Sequence, residues 1–356
     1  MGTTEKPDIR DQSLDELQIF FTQNNQKSFR ARQVYEWLWK KAAGSFDQMT
    51  NLSKPIREKL IENFTFHTAK PDKIIKSADG TIKILFRLFD DNLVEGVLIP
   101  SKNRMTACIS SQVGCALGCK FCATGQLGFT RNLHFGEIFD QVTILMKQAT
   151  ENHNVPLSNI VYMGMGEPLL NYKNVLKSIE MITSVDGLGM SPQRITVSTV
   201  GLPRMIKKLA DDGVKFNLAL SLHFTDNIKR SAFMPVNIQN PIPQLIEALK
   251  YYISKTGDRI SVEYILFNNC NDSISDARTL AEFCRNFPVK VNIIEYNMVN
   301  NTGFQKADEE KQKAFVEFLE NRNMVVNIRH SRGKDIAAAC GQLAGEGESK
   351  EIGEKQ

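Results

Sequence analysis

The sequence predicts an α/β fold, namely a partial (β/α)6 barrel preceded by a small N-terminal helical domain and a β-hairpin extension. The 356 residues correspond to roughly 2.4 domains of ordinary size. Helical patterning covers residues 14–64, and beyond Met105 six short apolar strands alternate with amphipathic helices. Successive βα units require parallel strands with right-handed crossovers, and six units are fewer than the eight of a complete barrel. A doubly wound open sheet is the alternative.

Changes of pattern along the chain set the expected domain boundaries. The predicted helical domain, hairpin extension, barrel and disordered tail cover residues 1–72, 73–104, 105–343 and 344–356. In the helical domain, Ser28 is a candidate cap for a helix with Val34, Trp37 and Leu38 on its apolar face. Segments 81–89 and 93–99 are the predicted hairpin strands.

Composition and charge restrict the class of protein. The chain is 42% hydrophobic and 24% charged, typical of a globular protein. It has neither a run of ~18 apolar residues nor a secretory signal, so we expect a cytoplasmic protein without a membrane partner. Residues 27–59 hold eight basic and three acidic side chains, a net of +5. This segment is either a solvated helix surface or a surface that contacts nucleic-acid phosphates.

Four of the seven cysteines lie within fifteen positions. The segment GCALGCKFCATGQLG places Cys115, Cys119 and Cys122 at C-x3-C-x2-C spacing, directly after the first barrel strand. A glycine-rich loop of this length can bring three thiolates around a small inorganic centre. One interpretation is a structural zinc site with Cys108 or His134 as fourth ligand. The others are a four-iron cluster with one iron left open for substrate and a cluster of reactive thiols without a metal.

Several predicted strands are followed by groups suited to ligand binding. Gly166 and Glu167 lie in GMGEP after the second strand, where a bare backbone lets a ligand approach and the carboxylate can accept hydrogen bonds from an ammonium group. The other candidates follow the third, fourth and sixth strands: Ser198, Ser221, Leu222, His223 and Asn297. Because the carboxyl ends of parallel strands meet at one edge, we predict a common pocket there.

The motif spacing at the first strand end resembles the radical S-adenosylmethionine (SAM) superfamily. Four stretches extend the resemblance over nearly the whole chain: ACISSQVGCALGCKFCATGQLGF, GMGEP, SLH and RGKDIAAACGQL. Together they resemble the RlmN/Cfr group of radical SAM adenine methyltransferases of ribosomal RNA. The GEP sequence at 166–168 and the RGKD sequence at 332–335 are similar to the adenine-C2 branch rather than to the C8-methylating branch.

This resemblance implies a cofactor set and its ligands. One [4Fe-4S] cluster would be held by three cysteines and by an exchangeable SAM, and two SAM molecules would be used per turnover. The implied cluster ligands are Cys115, Cys119 and Cys122. The implied SAM contacts are Gly166, Glu167, Ser198, Ser221, Leu222, His223 and Asn297.

The resemblance also implies a reaction. C2 of adenine is electron-poor and cannot attack a sulfonium methyl group, so a radical route is needed. Cys340 would take a methyl group from one SAM, and a 5′-deoxyadenosyl radical from the second would activate it for addition to C2. Glu95, by its sequence an exposed strand residue, would accept the C2 proton. Cys108 would then release the product and form a transient disulfide with Cys340.

The implied substrates are adenine 2503 of 23S ribosomal RNA and adenine 37 of transfer RNA. An external flavodoxin- or ferredoxin-like electron donor and a thiol reductant are implied as further partners. Trp37 and Trp39 are expected in the core, although either could stack on an RNA base. The alternatives are C8 methylation of the same rRNA adenine, a zinc-stabilised RNA-binding protein without catalysis, and a radical SAM enzyme acting on a small molecule.

Overall fold

The computed structural model describes residues 6–102, 104–299 and 302–345, so most of the predicted tail at 344–356 lies outside the described residues. The helices are α1 Leu14–Gln23, α2 Phe29–Trp39, α3 Lys54–Asn63, α4 Ala123–Gln126, α5 Phe135–His153, α6 Tyr172–Thr183, α7 Pro203–Asp211, α8 Asn227–Phe233, α9 Val236–Gln239, α10 Ile242–Thr256, α11 Ile274–Cys284 and α12 Glu309–Glu320. The strands are β1 Lys70–Lys76, β2 Ile82–Arg87, β3 Leu93–Ser101, β4 Arg104–Cys108, β5 Gln112–Gly114, β6 Phe129–Asn132, β7 Asn159–Tyr162, β8 Ile195–Thr199, β9 Asn217–Ser221, β10 Ile260–Leu266, β11 Val289–Glu295 and β12 Val326–Arg329.

The N-terminal helical domain packs against α5 through one of its two tryptophans. Trp39 is fully buried and stacks on Phe135, with 5.7 Å between ring centroids. Trp37 is only half-buried, packing against the core beside the amine of Lys41, so the expectation of a core residue is met in part. Ser28 is also not a side-chain cap, since its backbone is already helical and its hydroxyl makes no capping bond.

The main sheet has ten strands in the order β1-β2-β3-β4-β7-β8-β9-β10-β11-β12. From β4 onward neighbouring strands are parallel and follow the chain order without reversal. A doubly wound sheet reverses direction at a switch point, whereas an unreversed order with right-handed crossovers puts every helix on one face and curves the sheet. The predicted partial barrel is therefore confirmed.

Two edge strands extend the predicted fold. The predicted hairpin is β2 and β3, but β1 adds a third antiparallel strand and begins at Lys70, before the expected boundary at residue 73. At the other edge, β12 pairs in parallel with β11 as a seventh barrel strand. Both edge strands are largely exposed and lack the apolar pattern that identified the buried strands. Among the described residues, no helix is both long and apolar enough to cross a membrane.

Candidate active site

The barrel encloses a cavity of about 970 Å³, whose lining extends from the amino ends of the strands to their carboxyl ends. Every second residue of a strand faces it, as the period of an extended chain requires. Four strands show the alternation. The residues that line the cavity are Thr106 and Cys108 in β4, Thr196 and Ser198 in β8, Glu263 and Ile265 in β10, and Lys290, Asn292 and Ile294 in β11. The wall is polar for a barrel interior, so the cavity suits a polar ligand.

The three motif cysteines line one end of this cavity. The small hairpin of β5 and β6 carries the start of their loop, where the Cys115 N–H donates to the Gly128 carbonyl at 2.7 Å. A tight turn joins the other two, with the Cys122 N–H donating to the Cys119 carbonyl at 3.1 Å. The loop is thus fixed by backbone bonds, and its thiols face the same space.

The electrostatics of these thiols suit a centre that binds thiolates. Burial and the neighbouring thiols raise the pKa of Cys119, and burial raises the pKa of Cys115 to about 11. A positively charged inorganic centre would offset both effects, because metal ions stabilise bound thiolates. Three cysteine ligands would leave one iron of a four-iron cluster open.

The zinc and cluster interpretations share the three motif cysteines and differ in the fourth ligand. In residues 6–102, 104–299 and 302–345, no three or more His, Cys, Asp or Glu side chains are placed to enclose one metal ion, and this holds for both interpretations. Of the proposed fourth ligands, His134 caps α5, its Nδ1 accepting the Gly136 N–H at 3.2 Å and its Nε2 lying 2.7 Å from an Asp11 oxygen. Cys108 ends β4 and lines the same cavity as Cys340 and the motif cysteines.

Glu167 is the buried carboxylate of the predicted SAM pocket. One oxygen accepts the Leu169 N–H at 3.1 Å, and the other accepts the Val200 N–H at 2.9 Å. Burial raises the pKa of the Glu167 carboxyl to about 7, although these two hydrogen bonds act to lower it. The side chain lines the cavity beside Gly166, so a ligand ammonium group would meet a carboxylate held in a fixed orientation.

The glycines of GMGEP serve mainly to pack the protein. A Cβ on Gly164 would lie 2.7 Å from the carbonyl of Ile109, and one on Gly166 would lie 2.5 Å from the Gln112 side chain. Both glycines also line the cavity, so the expectation that the bare backbone lets a ligand approach stays a prediction. The loop needs glycine to press against the segment that follows β4.

Three of the other predicted SAM contacts line the cavity and two do not. The hydroxyls of Ser198 and Ser221 are 3.0 Å apart on its wall. His223 lines it as a neutral ring, because its Nδ1 accepts the Ile265 N–H and burial lowers its pKa to about 3. Leu222 is fully buried outside the cavity lining, and Asn297 lies behind Cys340, donating to its carbonyl at 3.3 Å.

The two thiols of the predicted exchange step come from opposite sides of the cavity. Cys108 ends β4, and Cys340 lies on the segment that follows β12. Burial raises the pKa of Cys108, and the adjacent Cys340 thiol raises it further. Cys340 is exposed to the cavity, yet burial and the carboxylate of Glu263 raise its pKa as well. The fold therefore places Cys108 and Cys340, which are 232 residues apart in the sequence, in one cavity.

Glu95 is buried rather than exposed, and it is not part of the cavity lining. The carboxylate lies 3.1 Å from the Lys83 amine and accepts the Ala344 N–H at 2.9 Å. Alternation along β3 predicted its strand but could not show that the C-terminal segment covers it. Lys83 is a site residue that the sequence analysis missed for the same reason.

Arg230 was also missed. Its guanidinium is fully buried and donates to the carbonyls of Leu222 and Val200 and to Asn237. The first two carbonyls belong to the loops that follow β9 and β8. Arg230 therefore joins the two loops beside His223 and Glu167, and only its place one turn into α8 hints at this role.

Two family models match the chain. Residues 8–65 match the ribosomal RNA large subunit methyltransferase N-terminal domain, and residues 109–283 match the radical SAM superfamily. The first interval coincides with the helical domain, and the second begins immediately after β4 and includes the cysteine loop.

Relatives match over almost the full length. A protein of Flavobacterium johnsoniae named "Probable dual-specificity RNA methyltransferase RlmN" is 53% identical, with 96% of this chain and 97% of the relative covered. A protein of Anaeromyxobacter named "Dual-specificity RNA methyltransferase RlmN" is 42% identical, with 96% and 92% covered. A crystal structure of a radical SAM methyltransferase from Sphaerobacter thermophilus is 38% identical, covers 96% of this chain and 100% of its own, and has a TM-score of 0.90. The chain therefore belongs to the RlmN family of radical SAM RNA methyltransferases.

Proposed function

We propose that the protein methylates C2 of adenine 2503 in 23S ribosomal RNA and C2 of adenine 37 in transfer RNA, through an S-methylcysteine and a transient disulfide. The observation that carries the proposal is the location of Cys108 and Cys340 in one cavity with the three motif cysteines. A cofactor-binding enzyme without a covalent RNA step has no need of a second thiol pair there. The names of the relatives support RNA as the substrate class.

Several of the cavity residues would hold the cofactors. Cys115, Cys119 and Cys122 would ligate the [4Fe-4S] cluster. When bound, the cluster and SAM supply one-electron chemistry that removes a hydrogen atom from an unactivated methyl group. Glu167 would orient the SAM ammonium group, and the paired hydroxyls of Ser198 and Ser221 would meet its polar groups at the wall.

The two remaining thiols account for methyl transfer and release. Cys340 takes the methyl group of one SAM as a thioether and loses its thiol proton. After the methyl carbon has bonded to C2, the adduct must lose the C2 proton and its unpaired electron, which the oxidised cluster would take back, and the RNA is then tethered to the protein through the Cys340 sulfur. The Cys108 thiolate then attacks that sulfur, forming an S–S bond as the S–C bond breaks, and the electron pair remains with the RNA carbon, which takes up a proton. An external thiol reductant restores both cysteines.

Proton removal from C2 is the proposed task of Glu95. Its carboxylate is held against Lys83 behind the Cys340 segment. The C2 proton therefore reaches it after the segment shifts. Electrons for the cluster come from an external flavodoxin- or ferredoxin-like donor.

Mass spectrometry of digested RNA tests the proposal. RNA from cells with the gene should contain 2-methyladenosine that is absent without it, whereas 8-methyladenosine would support the C8 alternative. Cys340→Ala should abolish product, and Cys108→Ala should accumulate a protein–RNA adduct. Cys270→Ala is the matched control, because this half-buried thiol lies outside the cavity lining. Product formation by Cys340→Ala would refute the covalent route, and zinc without acid-labile sulfide in anaerobically purified protein would refute the cluster.

A further inference from the structure

The segment that carries Cys340 is fastened at both ends by one ion pair. We name residues 337–345 the C-terminal strap. Lys83 donates to the Ala337 carbonyl at 3.3 Å, at the start of the strap, and its amine lies 3.1 Å from Glu95. Glu95 in turn accepts the Ala344 N–H at 2.9 Å, at the end of the strap. Cys340 lies midway between the two attachment points.

We propose that Lys83 and Glu95 form a clamp that positions Cys340 opposite Cys108, with Lys83 acting as a positioning residue for the methylation and disulfide steps. The inference rests on the proposed function in so far as it gives Cys340 and Cys108 those roles. The clamp itself is defined by contacts among three separate parts of the chain, β2, β3 and the strap.

The strands explain why the two side chains meet. In the antiparallel pair of β2 and β3, Leu85 is opposite Glu95 and Lys83 is opposite Val97. Lys83 and Glu95 are thus diagonal neighbours on one face, within reach of a long side chain. β3 also pairs with β4, which brings Val97 opposite Cys108. The clamp and Cys108 therefore belong to one rigid sheet.

The middle of the strap is held by weaker, independent bonds. The Gly341 carbonyl accepts the Ala123 N–H at 2.8 Å, and the Leu343 carbonyl accepts the Thr124 hydroxyl at 2.6 Å. These attachments lie in the cysteine loop region rather than on the main sheet. Among the described residues, the clamp joins the strap to β2 and β3, and Asn297, which follows β11, donates to the Cys340 carbonyl at 3.3 Å.

Burial makes the clamp sensitive to loss of either partner. The side chains of Lys83 and Glu95 are 11% and 3% exposed. When one partner of such a pair is removed, the other is left as a buried unpaired charge, so it must rearrange toward water. Loss of Lys83 would therefore free both ends of the strap, and the Cys340 thiol would spend less time opposite Cys108.

The equilibrium between the Cys108–Cys340 dithiol and its disulfide measures that proximity without RNA. The full-length chain is equilibrated with glutathione, where each disulfide formed consumes one glutathione disulfide and releases two glutathione molecules. Peptide mass spectrometry quantifies the Cys108–Cys340 bond. Lys83→Met should lower the equilibrium constant about tenfold, whereas Lys83→Arg should keep most of it. Lys76→Met is the matched control, because Lys76 lies on exposed β1 and contacts Asn152 instead.

A backbone variant covers the case in which Lys83→Met fails to fold. Ala344→Pro removes the N–H that Glu95 accepts and leaves both clamp side chains in place, so it should lower the same constant. An unchanged constant in Ala344→Pro, or equal losses in Lys83→Met and Lys76→Met, would overturn the clamp. The proposed function is judged separately by 2-methyladenosine from the wild-type chain, so the two failures are distinguishable.

Discussion

Arg10→Met tests the attachment of the helical domain to the barrel. The Arg10 guanidinium is 3% exposed and lies 3.2 Å from Asp8 and 3.0 Å from Asp140 of α5. It also donates to the His67 carbonyl. Removing one partner of a buried ion pair costs about 3–5 kcal/mol, and here two carboxylates lose the same cation. We therefore expect the free energy of unfolding to fall by at least that range.

Urea denaturation followed by tryptophan fluorescence measures the loss, since Trp39 reports on this interface. Arg32→Met is the control: its pair with Asp186 is half-exposed, and such pairs contribute about 0–1 kcal/mol.

Burial acts against ionisation of Asp8, but the charge of Arg10 lowers the pKa of that carboxyl overall. A lowered folded-state pKa stabilises the protein above the ordinary pKa of Asp, and this contribution is lost as the pH falls. The difference between wild type and Arg10→Met should therefore shrink in acid, and equal losses for Arg10→Met and Arg32→Met would refute the reasoning.

Three further outcomes follow from the site and its supports. Trp39→Ala should destabilise the protein by about 3–5 kcal/mol, whereas Trp37→Ala should cost less, because its ring is only partly buried, and should weaken RNA binding in a filter-binding assay. Gly164→Ala should cost about 1–3 kcal/mol in thermal unfolding, because its Cβ would lie 2.7 Å from the Ile109 backbone. Burial raises the folded-state pKa of Glu167 to about 7, so its contribution to stability is present in acid and lost as the pH rises toward 7. Glu167→Gln should remove this part of the pH dependence. Parallel stability–pH curves for wild type and Glu167→Gln would contradict this prediction.

The barrel strands were predictable because short, mostly apolar runs recur between amphipathic helices. The sequence predicts strands at 159–163, 194–199 and 216–221, and β7, β8 and β9 differ from these bounds by a single residue at one end. The edge strand β12 carries no such run, since three of its four residues are exposed. Periodicity therefore identified strands with a neighbour on each side and missed strands at the edge.

The site was predictable where a local motif carries it. The cysteine spacing and the strand-end positions placed Glu167, Ser198 and His223 at one cavity. The environment of Glu95 was not predictable, because it depends on Ala344, which is 249 residues away. The two tryptophans show the same limit: they are two positions apart on one helix, and only the contact with α5 decides which of them is buried.

The two exchange thiols differ in how they are held, and this difference suits their tasks. Cys108 is part of β4, which is hydrogen-bonded to β3 on one side and β7 on the other, so the backbone that carries its sulfur is fixed. Cys340 lies on a strap attached by separate polar bonds that can break one at a time. The proposed reaction requires one sulfur to meet a methyl donor, then an RNA base, then the other thiol, whereas the other thiol acts only once. A thiol on a releasable segment can make those successive approaches, and a thiol fixed in a strand gives the last of them a defined geometry.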